Sequence, residues 1–148
     1  MKINLGKNEL IHFVGIGGIG MSGLALIMNG LGYKVQGSDI ANNRNIERLS
    51  EKKIKVFIKH KKENIKKTSM LVISSAIKKN NPEVVEATKK KLPIYTRGDM
   101  LGHIVSFMRN VVVTGSHGKT TTTSLVSSIF TSGNLDPTII NGGVLNSF

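Results

Sequence analysis

The fold is decided by a stretch near the start of the chain, Leu10-Ile11-His12-Phe13-Val14-Gly15-Ile16-Gly17-Gly18-Ile19-Gly20. A short apolar run is followed by a match to G-x-G-x-x-G, and then by apolar residues at helical spacing. A glycine turn between a strand and a helix is the context that a diphosphate-binding loop requires. The glycines permit a tight turn, close approach of backbone N–H groups to a pyrophosphate, and close packing of helix on strand. The predicted diphosphate-binding residues are therefore Gly15, Ile16, Gly17, Gly18, Ile19 and Gly20.

An acidic residue follows at the distance that nucleotide-binding folds use. Asp39 ends the next predicted strand, about 20 residues beyond the loop, where a carboxylate can accept hydrogen bonds from a ribose. These residues do not name the nucleotide, because an oxidoreductase that binds NAD would show the same pattern. A uridine nucleotide and a nicotinamide dinucleotide therefore both stay open at this point.

Strands and helices alternate along the rest of the chain. Asn42 or Asn43 is predicted to cap a short helix, and Asn81-Pro82-Glu83 is a typical helix start with a cap, a proline and an acid. Alternation of this kind implies parallel pairing and a doubly wound, Rossmann-like, mostly parallel α/β sheet. The predicted strands are 10–14, 33–37, 55–58, 70–74, 94–95 and 111–114, and the predicted helices are 21–31, 45–53, 81–91, 97–108 and 119–131.

A second phosphate loop is predicted at Gly115, Ser116, His117, Gly118, Lys119, Thr120 and Thr121, between a predicted strand and a helix. It departs from the full pattern G-x-x-x-x-G-K-[ST], because Val113 stands where the first glycine belongs. The ending Gly118-Lys119-Thr120 is intact. In such a loop the lysine meets the phosphate charge and the hydroxyl of Thr120 reaches Mg²⁺. The pattern predicts an ATP site, with a domain boundary near Arg109 and Asn110.

Composition excludes several classes of protein. The 148 residues contain no cysteine, which rules out disulfides, thiolate metal sites and a cysteine nucleophile. The net charge is +12, but arginine and aromatic residues, the usual nucleic-acid contacts, are scarce, so we expect no nucleic-acid partner. The longest apolar run is far shorter than the roughly 20 residues of a membrane span. The sequence predicts a cytoplasmic protein without a membrane partner.

The two loops together resemble those of the Mur ligase family, and their sequences are most similar to those of its alanine-adding members. The resemblance rests on 11–23 and 113–123, and on shorter blocks at 37–39, 74–77, 97–101 and 141–146. It implies ATP-dependent amide formation between L-alanine and the lactyl carboxylate of UDP-N-acetylmuramate, through an acyl phosphate. ATP and Mg²⁺ are the cofactors that it implies.

The resemblance also implies roles for single residues. Lys119 and Thr120 would be catalytic, with Thr120 holding Mg²⁺. The first loop would hold the uridine diphosphate, with Asp39, Ser74 and Ser75 near the uridine or ribose and Asn141 near the sugar or acyl group.

The resemblance divides the chain into a UDP-sugar-binding domain (1–109) and the start of an ATP-binding domain (110–148) whose remainder, with the L-alanine site, is missing. We therefore expect the chain to be inactive alone. An NAD-binding oxidoreductase domain and a free-standing UDP-sugar-binding module are the alternatives.

Overall fold

The computed structural model describes residue 3, residues 6–141 and residues 144–146, and it divides the chain into two compact units. The first unit is Met1–Phe107 and the second is Met108–Phe148. Among the described residues, no helix is both long and apolar enough to span a lipid bilayer.

The first unit is a five-stranded parallel sheet covered by helices. Its strands are β1 (Leu10–Val14), β2 (Lys34–Asp39), β3 (Lys55–Ile58), β4 (Met70–Ile73) and β5 (Ile94–Thr96). Its helices are α1 (Ile19–Gly30), α2 (Arg44–Glu51), α3 (Pro82–Lys89) and α4 (Arg97–Phe107), with a short 3₁₀ helix at Lys62–Ile65. The predicted elements of this unit, and the doubly wound α/β class, are confirmed.

The strand order is β3-β2-β1-β4-β5. The chain winds outward from β1 to β3, then crosses back to place β4 on the other side of β1. This reversal between β1 and β4 is the point at which open α/β sheets bind ligands, beyond the carboxyl ends of their strands. The loop that follows β1 lies at this point.

Successive side chains of the strands point to opposite faces of the sheet, and a hydrophobic core lies on each face. Ile11 and Phe13 of β1 face the larger one, which also contains apolar residues of α1, α2 and α4. Val14 and Leu71 face the smaller one, which includes Ala87 of α3. The smaller face also carries buried polar residues, among them His12 at the centre of β1.

The helix starts follow their local sequence. Asn43 Oδ1 accepts the Ile46 N–H at 3.1 Å, so Asn43 rather than Asn42 caps α2. Asn81 Oδ1 accepts the N–H of Glu83 at 2.9 Å, which confirms the predicted cap of α3. Each cap provides an acceptor for a backbone donor that the helix itself leaves unpaired.

Helix α4 begins with a reciprocal pair of hydrogen bonds. The carboxylate of Asp99 accepts the backbone N–H of Thr96 at 2.8 Å, and the hydroxyl of Thr96 accepts the Asp99 N–H at 3.2 Å. This capping box fixes the position at which the chain turns from β5 into α4. The hydrogen bonds from the backbone and the hydroxyl of Thr96 lower the pKa of Asp99.

The second unit contains α5 (Lys119–Ser132) and an antiparallel pair formed by β6 (Ile139–Asn141) and β7 (Val144–Asn146). The predicted strand at 111–114 is wrong, since these residues have no strand structure. A strand forms only beside a partner that completes its hydrogen-bond ladder. The one ladder in the described part of this unit joins β6 to β7, and Val111 and Val112 are exposed.

Candidate functional site

A cleft of about 570 Å³ opens at the carboxyl edge of the first unit's sheet. It lies at the reversal of strand order, where β1 and β4 end side by side. Its lining joins the glycine loop, the end of β2, the turn after β4 and the start of α3. The residues that line it are Gly15, Gly17, Gly18, Asp39, Ile40, Asn43, His60, Ser74, Ala76, Ile77, Lys78, Asn80, Asn81 and Pro82.

The first half of the glycine loop is tied to the sheet. The backbone N–H groups of Gly15 and Ile16 both donate to the carbonyl of Ser38, at 2.8 and 3.0 Å. Gly15 has φ +79°, a left-handed conformation that glycine adopts without strain. The Ile16 side chain is fully buried in the larger core. Of the predicted diphosphate-binding residues, these two therefore anchor the loop through their backbone.

Asp39 holds the second half of the loop. Its Oδ2 accepts the N–H of Gly17 at 2.7 Å, and its Oδ1 accepts the N–H of Ile40 at the same distance. Asn45 donates to the Gly17 carbonyl at 2.8 Å. A Cβ on Gly17 would lie 2.7 Å from Asn43 Nδ2 and 2.9 Å from Asp39 Oδ2, so any side chain here would displace these two groups. The predicted contact of Asp39 with a ribose stays a prediction.

The N-terminus of α1 provides the remaining backbone donors of the loop. The helix begins at Ile19 after Gly18, which has no side chain to cap it. The N–H groups of Ile19 and Gly20 have no acceptor among the described residues. Free N–H groups and the helix dipole favour an anion at this position.

Arg97 adds a positive charge at the same helix end. A Cβ on Gly20 would lie 3.2 Å from Arg97 Cδ and 3.5 Å from one of its terminal nitrogens. The arginine is exposed and forms no ion pair within the described part of the chain. Sequence reasoning did not select it as a site residue. Its position directly after a predicted strand, at the edge where parallel strands end, was the available signal.

The turn after β4 supplies part of the cleft wall. Ser74 lines the cleft, its carbonyl accepts the Ile77 N–H at 3.0 Å, and its own N–H donates to the carbonyl of Val14 at 3.1 Å. Ser75 is exposed and is not one of the lining residues. Lys78 contributes a positive charge to the cleft and was not predicted. The structure thus brings Ser74 to the glycine loop but leaves Ser75 outside the cleft.

Beneath the cleft lies a cluster of four polar residues, which we call the Glu83 cluster: His12, Ser38, His60 and Glu83. Glu83 Oε2 accepts the hydroxyl of Ser38 at 2.6 Å and lies 3.3 Å from both His12 Nε2 and His60 Nδ1. His12 Nε2 is buried and forms no well-aligned hydrogen bond with the described residues, so its approach to Glu83 Oε2 is a contact of proximity. The Glu83 and His12 side chains are fully buried, whereas His60 reaches the cleft.

The environment of Glu83 favours its ionised form. Burial raises the pKa of this carboxyl. The hydrogen bond and charge of His12, with hydrogen bonds from Ser38 and Asn64, outweigh burial, so the pKa lies below its usual value. Sequence reasoning identified Glu83 only as an acid at a helix start, and nothing in the local pattern shows that its carboxylate turns inward.

The second predicted loop lies in the second unit. Gly115 and Gly118 have φ +151° and +77°, and Gly118 precedes the first residue of α5. The ammonium of Lys119 donates to the carbonyls of Gly115 and Ser116 at 2.6 and 3.2 Å, so the lysine folds back over the loop.

Ser116, His117, Thr120 and Thr121 of this loop are exposed. The described residues contain no group of three or more His, Cys, Asp or Glu that could hold a metal ion. The predicted contact of Thr120 with Mg²⁺ stays a prediction. Asn141 ends β6 in the same unit, and its predicted contact with the sugar or acyl group stays a prediction.

The sequence and the fold were compared with those of known proteins. Residues 10–109 match the model of the Mur ligase family, catalytic domain. A UDP-N-acetylmuramate–L-alanine ligase of Pelagibacter ubique is 68% identical over 147 residues, covering 99% of this chain and 32% of that protein. The ligase of the same name from Brucella ovis is 53% identical over 148 residues, with coverages of 100% and 31%. The chain thus spans about a third of the length of these relatives.

Solved structures of similar ligases share this fold. A UDP-N-acetylmuramate-alanine ligase from Thermotoga maritima matches with a TM-score of 0.80 and 34% identity, covering 89% of this chain and 31% of that one. The UDP-N-acetylmuramate:L-alanyl-gamma-D-glutamyl-meso-diaminopimelate ligase from Neisseria meningitides matches with a TM-score of 0.81 and 31% identity, with coverages of 95% and 45%. A family model that covers most of the first unit, whole-chain sequence similarity and a shared fold all agree, and the chain belongs to the Mur ligase family.

Proposed function

We propose that this chain is the uridine-nucleotide portion, with the start of the ATP portion, of a ligase that joins L-alanine to UDP-N-acetylmuramate. The observation that carries the proposal is the cleft at the reversal of strand order, beside the glycine loop, with Lys78 in its lining and Arg97 near the start of α1. The names of the similar ligases from Pelagibacter ubique and Brucella ovis support the choice of substrate. Residues 1–109 and 110–148 are the two domains of this proposal.

In the first unit, the uridine diphosphate would lie along the glycine loop. The N–H groups of Ile19 and Gly20 have no other acceptor among the described residues, and Arg97 brings a guanidinium against the same helix turn. Arginine offers several donors in a fixed fork, which suits a diphosphate. Asp39 and Ser74 lie at the cleft end of the loop, where the ribose and base would follow.

In the second unit, the loop at 115–121 would bind the phosphates of ATP. The Lys119 ammonium already lies within hydrogen-bond distance of two loop carbonyls, so a phosphate entering the loop would meet a fixed positive charge. Mg²⁺ would neutralise phosphate charge, with Thr120 as one oxygen ligand and the phosphates and water as others. Lys119 and Thr120 would stabilise the charge that develops when the substrate carboxylate attacks the terminal phosphoryl group.

Binding to the intact 148-residue chain tests the proposal. Isothermal titration with UDP-N-acetylmuramate and with NAD should show binding of the uridine nucleotide and weaker or no binding of NAD. Gly17→Ala should weaken this binding, because its Cβ would displace Asn43 and Asp39. Gly102→Ala is the matched control, since no atom lies within 4 Å of the added Cβ. Preferential binding of NAD would instead favour the oxidoreductase alternative.

A ligase assay tests the expected inactivity of the chain alone. With ATP, Mg²⁺, UDP-N-acetylmuramate and L-alanine, we expect no phosphate release above background. A phosphoryl-transfer site needs further metal-holding groups, and the described residues bring none together. Turnover by the isolated chain would overturn this part of the proposal.

A further inference from the structure

Strand β3 forms one outer edge of the sheet in the first unit. It pairs with β2 alone, and the backbone of residues 55–58 makes no hydrogen bond outside this ladder within the described part of the chain. An outer strand presents alternate N–H and C=O groups away from its sheet, and these groups can pair with a further strand. The backbone of β3 is therefore available to an extended peptide.

Lysines surround this strand. Residues 51–67 contain eight lysines and two glutamates, so they carry half of the chain's net charge of +12. All eight lysines are exposed, and none forms an ion pair within the described residues. We call β3 with these lysines the β3 edge; they are Lys52, Lys53, Lys55, Lys59, Lys61, Lys62, Lys66 and Lys67. Like charges at this density repel one another, so the surface favours an anionic partner.

The two faces of β3 differ in chemistry. The Lys55 Nζ lies 4.7 Å from the ring centroid of Phe57, and this ring in turn lies beside His12, on the polar face of the sheet. Val56 packs against the larger core, and Ile58, which points to the same face, is 47% exposed. One face of the strand thus carries a cation and the other an exposed apolar side chain. An extended segment that alternates acidic and apolar residues matches both.

Nucleic acids and lipids fit this surface less well. Residues 51–67 contain no arginine, and Phe57, their one Phe, Tyr or Trp residue, is half-buried beneath Lys55. The segment therefore lacks the arginine forks and stacking platforms that bind bases. Ile58 is its one exposed large apolar residue, a small area for insertion into a bilayer. Neither a nucleic acid nor a lipid has backbone amides that could pair with the free side of β3.

The same lysines disfavour a second copy of this chain as the occupant. Two such edges side by side would bring like charges together, and lysine on an outer strand is a common protection against self-pairing. An acidic strand meets no such repulsion. The charge that rejects one partner therefore selects the other.

We propose that the β3 edge is a docking surface for an acidic, extended segment of another protein, which adds beside β3 as a further strand. The acidic side chains of this segment lie on the face of Lys55, and its apolar side chains lie on the face of Ile58. Backbone hydrogen bonds provide affinity and the side chains provide specificity, as in other cases of strand addition. None of the eight lysines lines the cleft, so the inference does not depend on the proposed function.

The first experiment measures binding of a fluorescent peptide to the intact chain by anisotropy. The probe has about six residues, the usual length of a strand, in which glutamate alternates with valine. It should bind in low salt and weaken as salt is raised, because salt screens exposed charges. A probe with lysine in place of glutamate should not bind. Failure of the acidic probe to bind, or equal binding of the lysine probe, overturns the proposal.

A second set of probes separates strand addition from charge alone. N-methylation of alternate backbone amides keeps the glutamates but removes hydrogen-bond donors. The methylated probe should bind about tenfold more weakly, and equal binding would mean that no strand is added. Duplex DNA and phosphatidylglycerol vesicles should bind more weakly than the unmodified peptide at the same concentration of negative charge. Tighter binding of either one overturns the choice of partner.

Substitutions in the chain locate the peptide. Lys55→Glu should weaken binding about tenfold, because it places like charges opposite each other on adjacent strands. Lys89→Glu is the matched control, since it makes the same change of charge at an exposed position of α3 and should leave binding unchanged. Equal effects of the two substitutions would show that net charge alone matters and would overturn the proposal.

Amide NMR gives an independent location. Addition of the peptide should shift the amides of residues 55–58, and excess UDP should not displace it. Displacement by UDP, or shifts confined to the glycine loop, would place the peptide in the cleft and contradict a separate docking surface.

Discussion

Asp39→Asn is the substitution that most directly tests how the glycine loop is held. The carboxylate accepts two backbone N–H groups at 2.7 Å, from Gly17 and Ile40. An asparagine keeps one acceptor oxygen and turns an NH₂ group toward the other N–H. One charge-assisted hydrogen bond is therefore lost. Such bonds contribute about 1.5–3 kcal/mol. Asp39 is half-buried, so we take the lower end, about 1.5 kcal/mol, or a factor of roughly ten.

A competing effect has the opposite sign for ligand binding. Removal of a negative charge near a diphosphate favours binding, by at most about 1 kcal/mol for charges 4 Å apart in water. Hydrogen exchange in the free chain avoids this complication. The Gly17 amide should exchange about tenfold faster in Asp39→Asn, and UDP binding should weaken by a smaller factor.

Asp136→Asn provides the control for Asp39→Asn, as the same chemical change at an exposed position of the second unit. It should alter neither the exchange of Gly17 nor the affinity for UDP. If the Gly17 amide in Asp39→Asn exchanges as slowly as in the wild type, and the affinity for UDP stays within twofold, Asp39 does not anchor the loop.

Three further predictions concern the sheet, the buried acid and the diphosphate. Gly37→Ala should lower the free energy of unfolding by about 1–3 kcal/mol in urea titrations, because its Cβ would lie 2.5 Å from the backbone oxygen of Phe13. The lowered pKa of Glu83 means that its stabilisation is present above the usual glutamate value, about 4.3, and is lost as pH falls below it. Thermal melts should therefore show the wild type losing more stability than Glu83→Gln below about pH 4.3, and equal losses would contradict this. Arg97→Ala should weaken UDP binding several-fold in low salt, whereas Arg48→Ala, an exposed arginine on α2, should not.

Local signals in the sequence predicted most of the fold. The apolar run before Gly15 and the Asn81-Pro82-Glu83 start were enough to place β1 and α3, because both depend on neighbouring residues only. The order of the strands was not predictable in this way. Placement of β4 beside β1 depends on pairing between residues about 60 positions apart, such as Ile11 and Met70. The strand predicted at 111–114 failed for the same reason, since a strand needs a partner.

The candidate site was predictable where a motif spans several residues. The glycine loop and Asp39 were selected because a glycine turn followed by an acid at this spacing is typical of nucleotide-binding folds. His60 is a single residue that the loop after β3 brings to the cleft, and Arg97 is a single residue that the start of α4 brings near Gly20. No spacing rule within one segment links them to the loop. Glu83 was hidden in another way, because a helix-start acid usually faces solvent and this one is fully buried.

The most direct test of the account is to map nucleotide binding on the intact chain by amide NMR. Titration with UDP-N-acetylmuramate should shift the amides of Gly17, Gly18 and Gly20 and the side chain of His60. The amides of residues 115–121 should stay unchanged until ATP is added. Shifts confined to residues 115–121 on addition of the uridine nucleotide, with none in the first loop, would contradict the assignment of the cleft as the uridine-nucleotide site.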